Sequence, residues 1–187
     1  LLYLNRPLPL AFAPASLADG GVALTPLRAR WTAQTGVSPL PACSPGAGGL
    51  PVYRSGEVVA LRLAWPDSGL PVDRWLGYFG VLVGVGSISG VKVLPLQPDR
   101  SDTPLMPGAV HSVLVPVVDP EEDTLLAVLV RRARPFDREE LRRQLGGHLA
   151  GLRPGEQISA ASNWLEQQAP GVLTYRFRTA AQEAPCP

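Results

Sequence analysis

Trp75-Leu76-Gly77-Tyr78-Phe79-Gly80-Val81-Leu82-Val83-Gly84-Val85 is the stretch that decides the fold. It is apolar at odd and even positions alike. A strand drawn through it has no polar face, so it belongs inside a sheet covered on both sides. The apolar run extends to Leu94, and Gly80-Val81-Leu82-Val83-Gly84 matches the membrane helix-packing pattern G-x-x-x-G. Five glycines within residues 77–90, Ser87, Ser89 and Lys92 argue against a spanning helix. No transmembrane span is expected. Gly84-Val85-Gly86-Ser87-Ile88-Ser89-Gly90 imitates a nucleotide-binding glycine loop. Its last glycine falls one residue late, and strand-like residues follow where a helix would be required. A hairpin turn over residues 86–90 accounts for it, with Val91-Lys92-Val93-Leu94 as the returning arm.

Strands flank this stretch on both sides. Residues 56–65 place Val59, Leu61 and Leu63 on one face. Residues 23–31 alternate, with Leu27, Ala29 and Trp31 one way and Arg28 and Arg30 the other, as in a strand half-exposed to water. Residues 111–117 and 124–132 read as two more strands, joined by a solvated acidic turn at 119–123. Residues 32–51, rich in Gly, Pro, Ser and Thr, read as one long loop, an insertion or a partner-binding arm. Near the C-terminal end the period changes. Residues 136–149 form an amphipathic helix with Asp137 as cap, Glu139 and Glu140 in the first turn, and Leu141, Leu145 and Leu149 on one stripe. Residues 154–168 predict a second helix entered through Pro154-Gly155, and residues 172–177 a closing strand. The expected fold is mainly β, an antiparallel β-sandwich-like domain with one or two short helices near the C-terminal end. Residues 1–51 pack on a core of residues 52–137, and residues 138–187 complete the same domain.

Composition agrees. The 187 residues are 45% hydrophobic and 18% charged, which excludes global disorder, and 19 Gly with 21 Pro disfavour a helical bundle. Seventeen basic against sixteen acidic side chains give a net charge of +1 and no electrostatic reason to expect nucleic acid.

Cys43 and Cys186, the two cysteines, each sit in a proline-flanked stretch. They read as a disulfide tying the long loop to the tail, which implies an oxidising compartment. The alternative is two separate thiols. Closing so long a loop contributes about 4–5 kcal/mol in the chain-entropy model.

Chemistry-bearing motifs are incomplete. His111 and His148 form no ligand set with the cysteines, and the acidic turn lacks a calcium-loop pattern. No G-x-S-x-G occurs. Residues 111–171 imitate a Nudix hydrolase through Gly146-Gly147-His148 and Pro154-Gly155-Glu156. The R-E-x-x-E-E helix is replaced by Asn163-Trp164-Leu165-Glu166-Gln167-Gln168, whose neutral amides do not bind a hard dication. Neither a catalytic residue nor a cofactor is expected. The rival reading is a degenerate Nudix-like hydrolase using Glu156 and Glu166. A third is a lipophilic-ligand carrier with a pocket lined by the tryptophans.

Tyr53-Arg54-Ser55-Gly56-Glu57-Val58-Val59-Ala60-Leu61 matches Y-x-x-G-(E/D)-x-(V/I)-x-L. With Gly77-Tyr78, Val93-Leu94-Pro95, Leu105-Met106-Pro107-Gly108 and Leu126-Ala127 in order, residues 52–137 resemble the bacterial domain of unknown function numbered 4384. The flanks, Leu4-Asn5-Arg6-Pro7-Leu8-Pro9 and Tyr175-Arg176-Phe177, are similar to exported, envelope-associated members. Arg131 and Arg132 stand where that family has an A-S pair. The resemblance implies a non-enzymatic β-sandwich adaptor of the periplasm or cell surface, an accessory to a surface-layer or outer-membrane assembly, with other envelope proteins as partners. The extended segment Leu4, Asn5, Arg6, Pro7, Leu8 and Pro9 is the expected docking element, through strand addition to a partner sheet.

Overall fold

A computed structural model describes residues 2–4, 16–17, 23–43, 49–64, 78–96, 110–118, 122–169 and 171–181. Among the described residues eleven strands and two helices run in the order β1 (Leu2–Leu4), β2 (Ser16–Leu17), β3 (Ala23–Thr32), β4 (Gly36–Pro39), β5 (Val52–Arg54), β6 (Val58–Ala64), β7 (Tyr78–Gly86), β8 (Gly90–Pro95), β9 (Val110–Pro116), β10 (Asp123–Arg132), α1 (Arg138–Leu149), α2 (Pro154–Glu166) and β11 (Gly171–Ala180). Sheet 1 has the order β1-β9-β6-β3-β2, with β4 also on β3, and sheet 2 the order β5-β11-β10-β7-β8. Every pairing is antiparallel except β5 with β11, which run parallel. The mainly β, sandwich-like expectation holds, with both helices near the C-terminal end.

The apolar character of β7 on both faces has a direct physical reason. Leu82 turns inward and packs with Leu126, Val128 and Phe177 of its own sheet against Val59, Leu61, Leu63 and Val113 of sheet 1. Phe79, Val81, Val83 and Val85 turn outward, where Leu141, Leu145 and Leu149 of α1 and Ile158, Ala161 and Leu165 of α2 cover them. The molecule is thus a three-layer stack of sheet, sheet and helix pair, with sheet 2 in the middle. Strand β10, at the centre of sheet 2, is buried on both faces in the same way, through Leu125, Ala127 and Leu129 on one side and Leu126 and Val128 on the other.

The helices form as their sequences dictate. Asp137 accepts a hydrogen bond from Glu140 N at 3.0 Å and caps α1. Pro154 occupies the first turn of α2, where its missing N–H is no loss, and the Glu156 carboxylate accepts from Arg153 N at 3.3 Å.

Three expectations need correction. Residues 32–51 are not one loop: Gly36–Pro39 returns along β3 as β4, and Gly36, with φ +69°, supplies the left-handed residue that closes the hairpin. Strand β5 was not anticipated, since three residues carry too little periodicity to be seen. On β3 the alternation is real but its sense is reversed. Leu24 and Arg28 face the inter-sheet side, while Leu27 and Ala29 face away from sheet 2.

The β7–β8 turn shows why a glycine stands at position 86. A Cβ there would meet Ser89 Oγ and lie 2.5 and 2.7 Å from the Glu122 carboxylate oxygens, whereas at Gly84 the nearest atom is a Leu126 methyl at 3.6 Å. Gly86→Ala is therefore expected to destabilise the protein by about 1–3 kcal/mol, from displaced carboxylate hydrogen bonds. Gly84→Ala should lie within about 1 kcal/mol of wild type. Urea denaturation of the two variants side by side measures the contrast.

Candidate functional site: a basic pocket at one end of the sandwich

The chain passes from sheet 2 to sheet 1 through the turn that links β5 to β6. Gly56, with φ +86°, makes the bend, and only glycine adopts that conformation without strain. The turn is tied to both sheets: Ser55 N donates to Ala180 O at 3.1 Å, Gly56 N to Val117 O at 3.0 Å, and Val117 N to Glu57 O at 2.9 Å. Glu57 is buried, 4% exposed, so its charge requires partners. Arg28 supplies a two-pronged one, donating from Nε to Oε2 at 2.6 Å and from Nη2 to Oε1, while Arg54 N donates to Oε2 at 3.0 Å. Arg28 Nη1 also donates to Pro41 O at 2.9 Å, and Leu40 N donates to Arg28 O at 2.9 Å. One buried ion pair therefore fastens β3, the β5–β6 turn and the segment leading to Cys43. Removing one member of such a pair costs about 3–5 kcal/mol, because the other charge stays buried.

Arg30, two residues along β3 from Arg28, and Arg54 line a pocket of about 140 Å³ beside this pair, together with Ser55, Gly56 and Glu57. Neither guanidinium has an ion-pair partner among the described residues. Arg54 Nε is buried without a hydrogen-bond acceptor.

A second buried acid, Glu122, lies at the same end of sheet 2, where the start of β10 meets the β7–β8 turn. Its carboxylate accepts from Ile88 N at 2.9 Å, Ser89 N at 3.0 Å and Ser89 Oγ at 2.9 Å, and its backbone exchanges hydrogen bonds with Thr179. The turn at 119–123 is thus not simply a solvated one: Glu122 folds inward as a clamp on the β7–β8 hairpin, and Asp119 and Glu121 lie outside the described residues. Near Glu122 an inter-sheet cavity of about 80 Å³ is lined by Leu82, Leu94, Val115, Leu126 and Phe177. Ligand pockets for drug-sized molecules run from roughly 300 Å³ upward, so this cavity is too small for a lipophilic cargo. A wider cleft of about 470 Å³ adjoins the start of α2, where Arg178 and Asp123 neutralise each other at 2.9 Å.

Compared with family models, with characterised proteins and with solved structures, the chain matches none. The stretch from Tyr53 to Glu57 has a physical content of its own. Tyr53 is buried with its ring edge-on to Phe177, Gly56 bends the turn, and Glu57 anchors it.

The other expected residues distribute as follows. Leu4 lies in β1, which pairs with β9 in the register Leu2↔Leu114, Tyr3↔Val113 and Leu4↔Ser112. Asn5, Arg6, Pro7, Leu8 and Pro9 lie outside the described residues. Cys43 is buried, its carbonyl accepting from Val52 N at 2.7 Å, and no described cysteine is free. Cys186 lies outside the described residues. His148 is exposed near the end of α1, its ring 6.2 Å from that of Trp164. Trp31 is 41% exposed on β3, and Trp65 and Trp75 lie outside the described residues. Glu156 is engaged with Arg153 at the start of α2, and Glu166 ends the same helix. Ten residues of α-helix separate them by about 15 Å, too far to share one metal ion. Among the described residues no group of His, Cys, Asp and Glu side chains is placed to hold a metal. None of the described helices is long and apolar enough to cross a membrane. Sequence reasoning missed Arg28, Glu57 and Glu122. A charged residue at the same parity as Leu24 and Pro26 of β3 was the available signal for Arg28.

Tyr53 and Tyr175 share a hydroxyl–hydroxyl hydrogen bond of 2.8 Å. Burial, followed by the neighbouring Tyr175, pushes the Tyr53 hydroxyl far above its usual value of 10.0, and burial also raises Tyr175. Below that usual value both folded and unfolded chains keep these protons, so the pair adds no pH dependence. Above it the unfolded chain ionises while the folded one does not, so folding stability falls as pH rises. Urea midpoints measured at about pH 9 and about pH 11 should therefore drop. Tyr53→Phe should cost about 1 kcal/mol at neutral pH and make that alkaline drop smaller.

Proposed function

We propose that this chain is a non-enzymatic binding or scaffolding module of the bacterial cell envelope, accessory to a surface assembly. The observation that carries this reading is the β1–β9 pairing, in which the three-residue edge strand β1 covers residues 112–114 of the seven-residue β9. Backbone N–H and C=O groups at such an edge are the elements of strand-addition docking. The state of the buried acids supports the same reading. Glu57 and Glu122 are both saturated with structural hydrogen bonds, which suits a supporting role and not proton transfer.

Deleting residues 1–10 is the test. The full chain, used as bait on solubilised native membranes and analysed by mass spectrometry, should retain a specific envelope protein. The chain lacking residues 1–10 should lose it while keeping its thermal unfolding transition. Retention of the same protein by both chains would remove the docking mode.

Export is part of this proposal, supported by Cys43, which is buried and not free, and by the presence of one other cysteine, Cys186, in the sequence. Protein purified without reductant should have an intact mass lower by the two hydrogens lost in a Cys43–Cys186 bond, and reduction should restore them. An unchanged mass on reduction would remove the argument for an oxidising compartment.

A further inference from the structure

The pocket between β3 and the β5–β6 turn has a charge imbalance that the fold does not resolve. Glu57 and Arg28 neutralise each other inside it. Arg30 and Arg54 remain, two guanidinium groups approaching from different sheets onto one volume, with Ser55 beside them. No described carboxylate pairs with either. The buried Nε of Arg54 has no acceptor among the described residues.

We infer that Arg30 and Arg54 form a binding site for a phosphate monoester group. Three physical arguments select that chemistry. Guanidinium forks match the spacing of phosphate oxygens and hold them with paired, charge-assisted hydrogen bonds. Two uncompensated positive charges call for a dianion, and a single carboxylate would leave one of them unmatched. The volume of about 140 Å³ corresponds to four or five water molecules at about 30 Å³ each, enough for one tetrahedral oxyanion and the first atoms attached to it. It excludes a nucleoside, so the rest of the ligand lies outside the pocket. Glu57 does not repel the anion from within, since its oxygens already accept from Arg28 and from the backbone of Arg54. Its effect is to hold the Arg54 backbone in place. The site does not depend on strand docking at β1, which lies at the edge of sheet 1, with β9 and β6 between it and β3.

The test uses the full chain and thermal melting at constant ionic strength. Inorganic phosphate should raise the melting temperature along a saturating curve, as a ligand bound by the folded state alone does. Acetate at matched ionic strength should not. Arg30→Gln, at an exposed position, should fold normally and raise the phosphate dissociation constant about tenfold or more, the equivalent of one lost fork. Arg54→Gln should do the same if it folds; Arg30→Gln decides the matter if it does not. Vesicles of phosphatidylcholine with and without phosphatidic acid form the second arm. Co-sedimentation with phosphatidic acid vesicles alone, lost in Arg30→Gln, places the monoester on a lipid, and a phosphate response without sedimentation places it on a soluble molecule; either supports the site. An absent phosphate response, an equal response to acetate, or an Arg30→Gln variant with unchanged affinity would overturn it.

Discussion

A sheet with two apolar faces must be covered twice. Sheet 2 is such a sheet, since β7 and β10 present aliphatic side chains on both sides of the backbone. Its inner face is matched by Val59, Leu61 and Leu63 of sheet 1, and its outer face by the leucine stripe of α1 and the Ile158, Ala161 and Leu165 face of α2. Burial of a single leucine side chain stabilises by about 1.5–3 kcal/mol. Leaving either face open would forfeit several of those at once, so neither the other sheet nor the helix pair is optional. The positions of the turns, and therefore of every pocket, follow from that stack.

The charged groups inside the stack sit where strands change layer or direction. Glu57 stands at the bend between sheets, where apolar side chains could not satisfy the free backbone donors. Glu122 stands over the β7–β8 turn, where three donors converge within hydrogen-bond distance of one carboxylate. Both acids replace the ladder hydrogen bonds that a turning backbone gives up. The basic pocket is a by-product of the first of these bends: Arg28 was needed inside, and the same parity of β3 carries Arg30 to the pocket rim.

Much of this was legible in the sequence. Period-two patterning placed β3, β6, β9 and β10, and the four-residue spacing of Leu141, Leu145 and Leu149 placed α1 with its Asp137 cap. The lack of a polar face on β7 predicted double burial before any helix was positioned. What escaped were features that local pattern cannot encode. β5 is three residues long and gains its place from a parallel pairing with β11 far along the chain. β4 was hidden among turn-forming residues that serve a hairpin as readily as a loop. The sense of β3 was misread because Arg28 and Arg30 look like solvent-facing residues, and only a partner twenty-nine residues away, Glu57, makes the inward choice favourable. The candidate site shared that fate, since its members come from two strands whose proximity is a tertiary fact.

The parallel β5–β11 pair bears on biogenesis. β11 is inserted between β5 and β10, so an interior strand of sheet 2 is the last of the described strands along the sequence. Until it emerges, Val52–Arg54 has no neighbour in that sheet, and the edge of β10 is open along eight register positions. Loop closure over most of the sequence then precedes any gain from the final pairing, which makes slow assembly and a vulnerable intermediate the natural course.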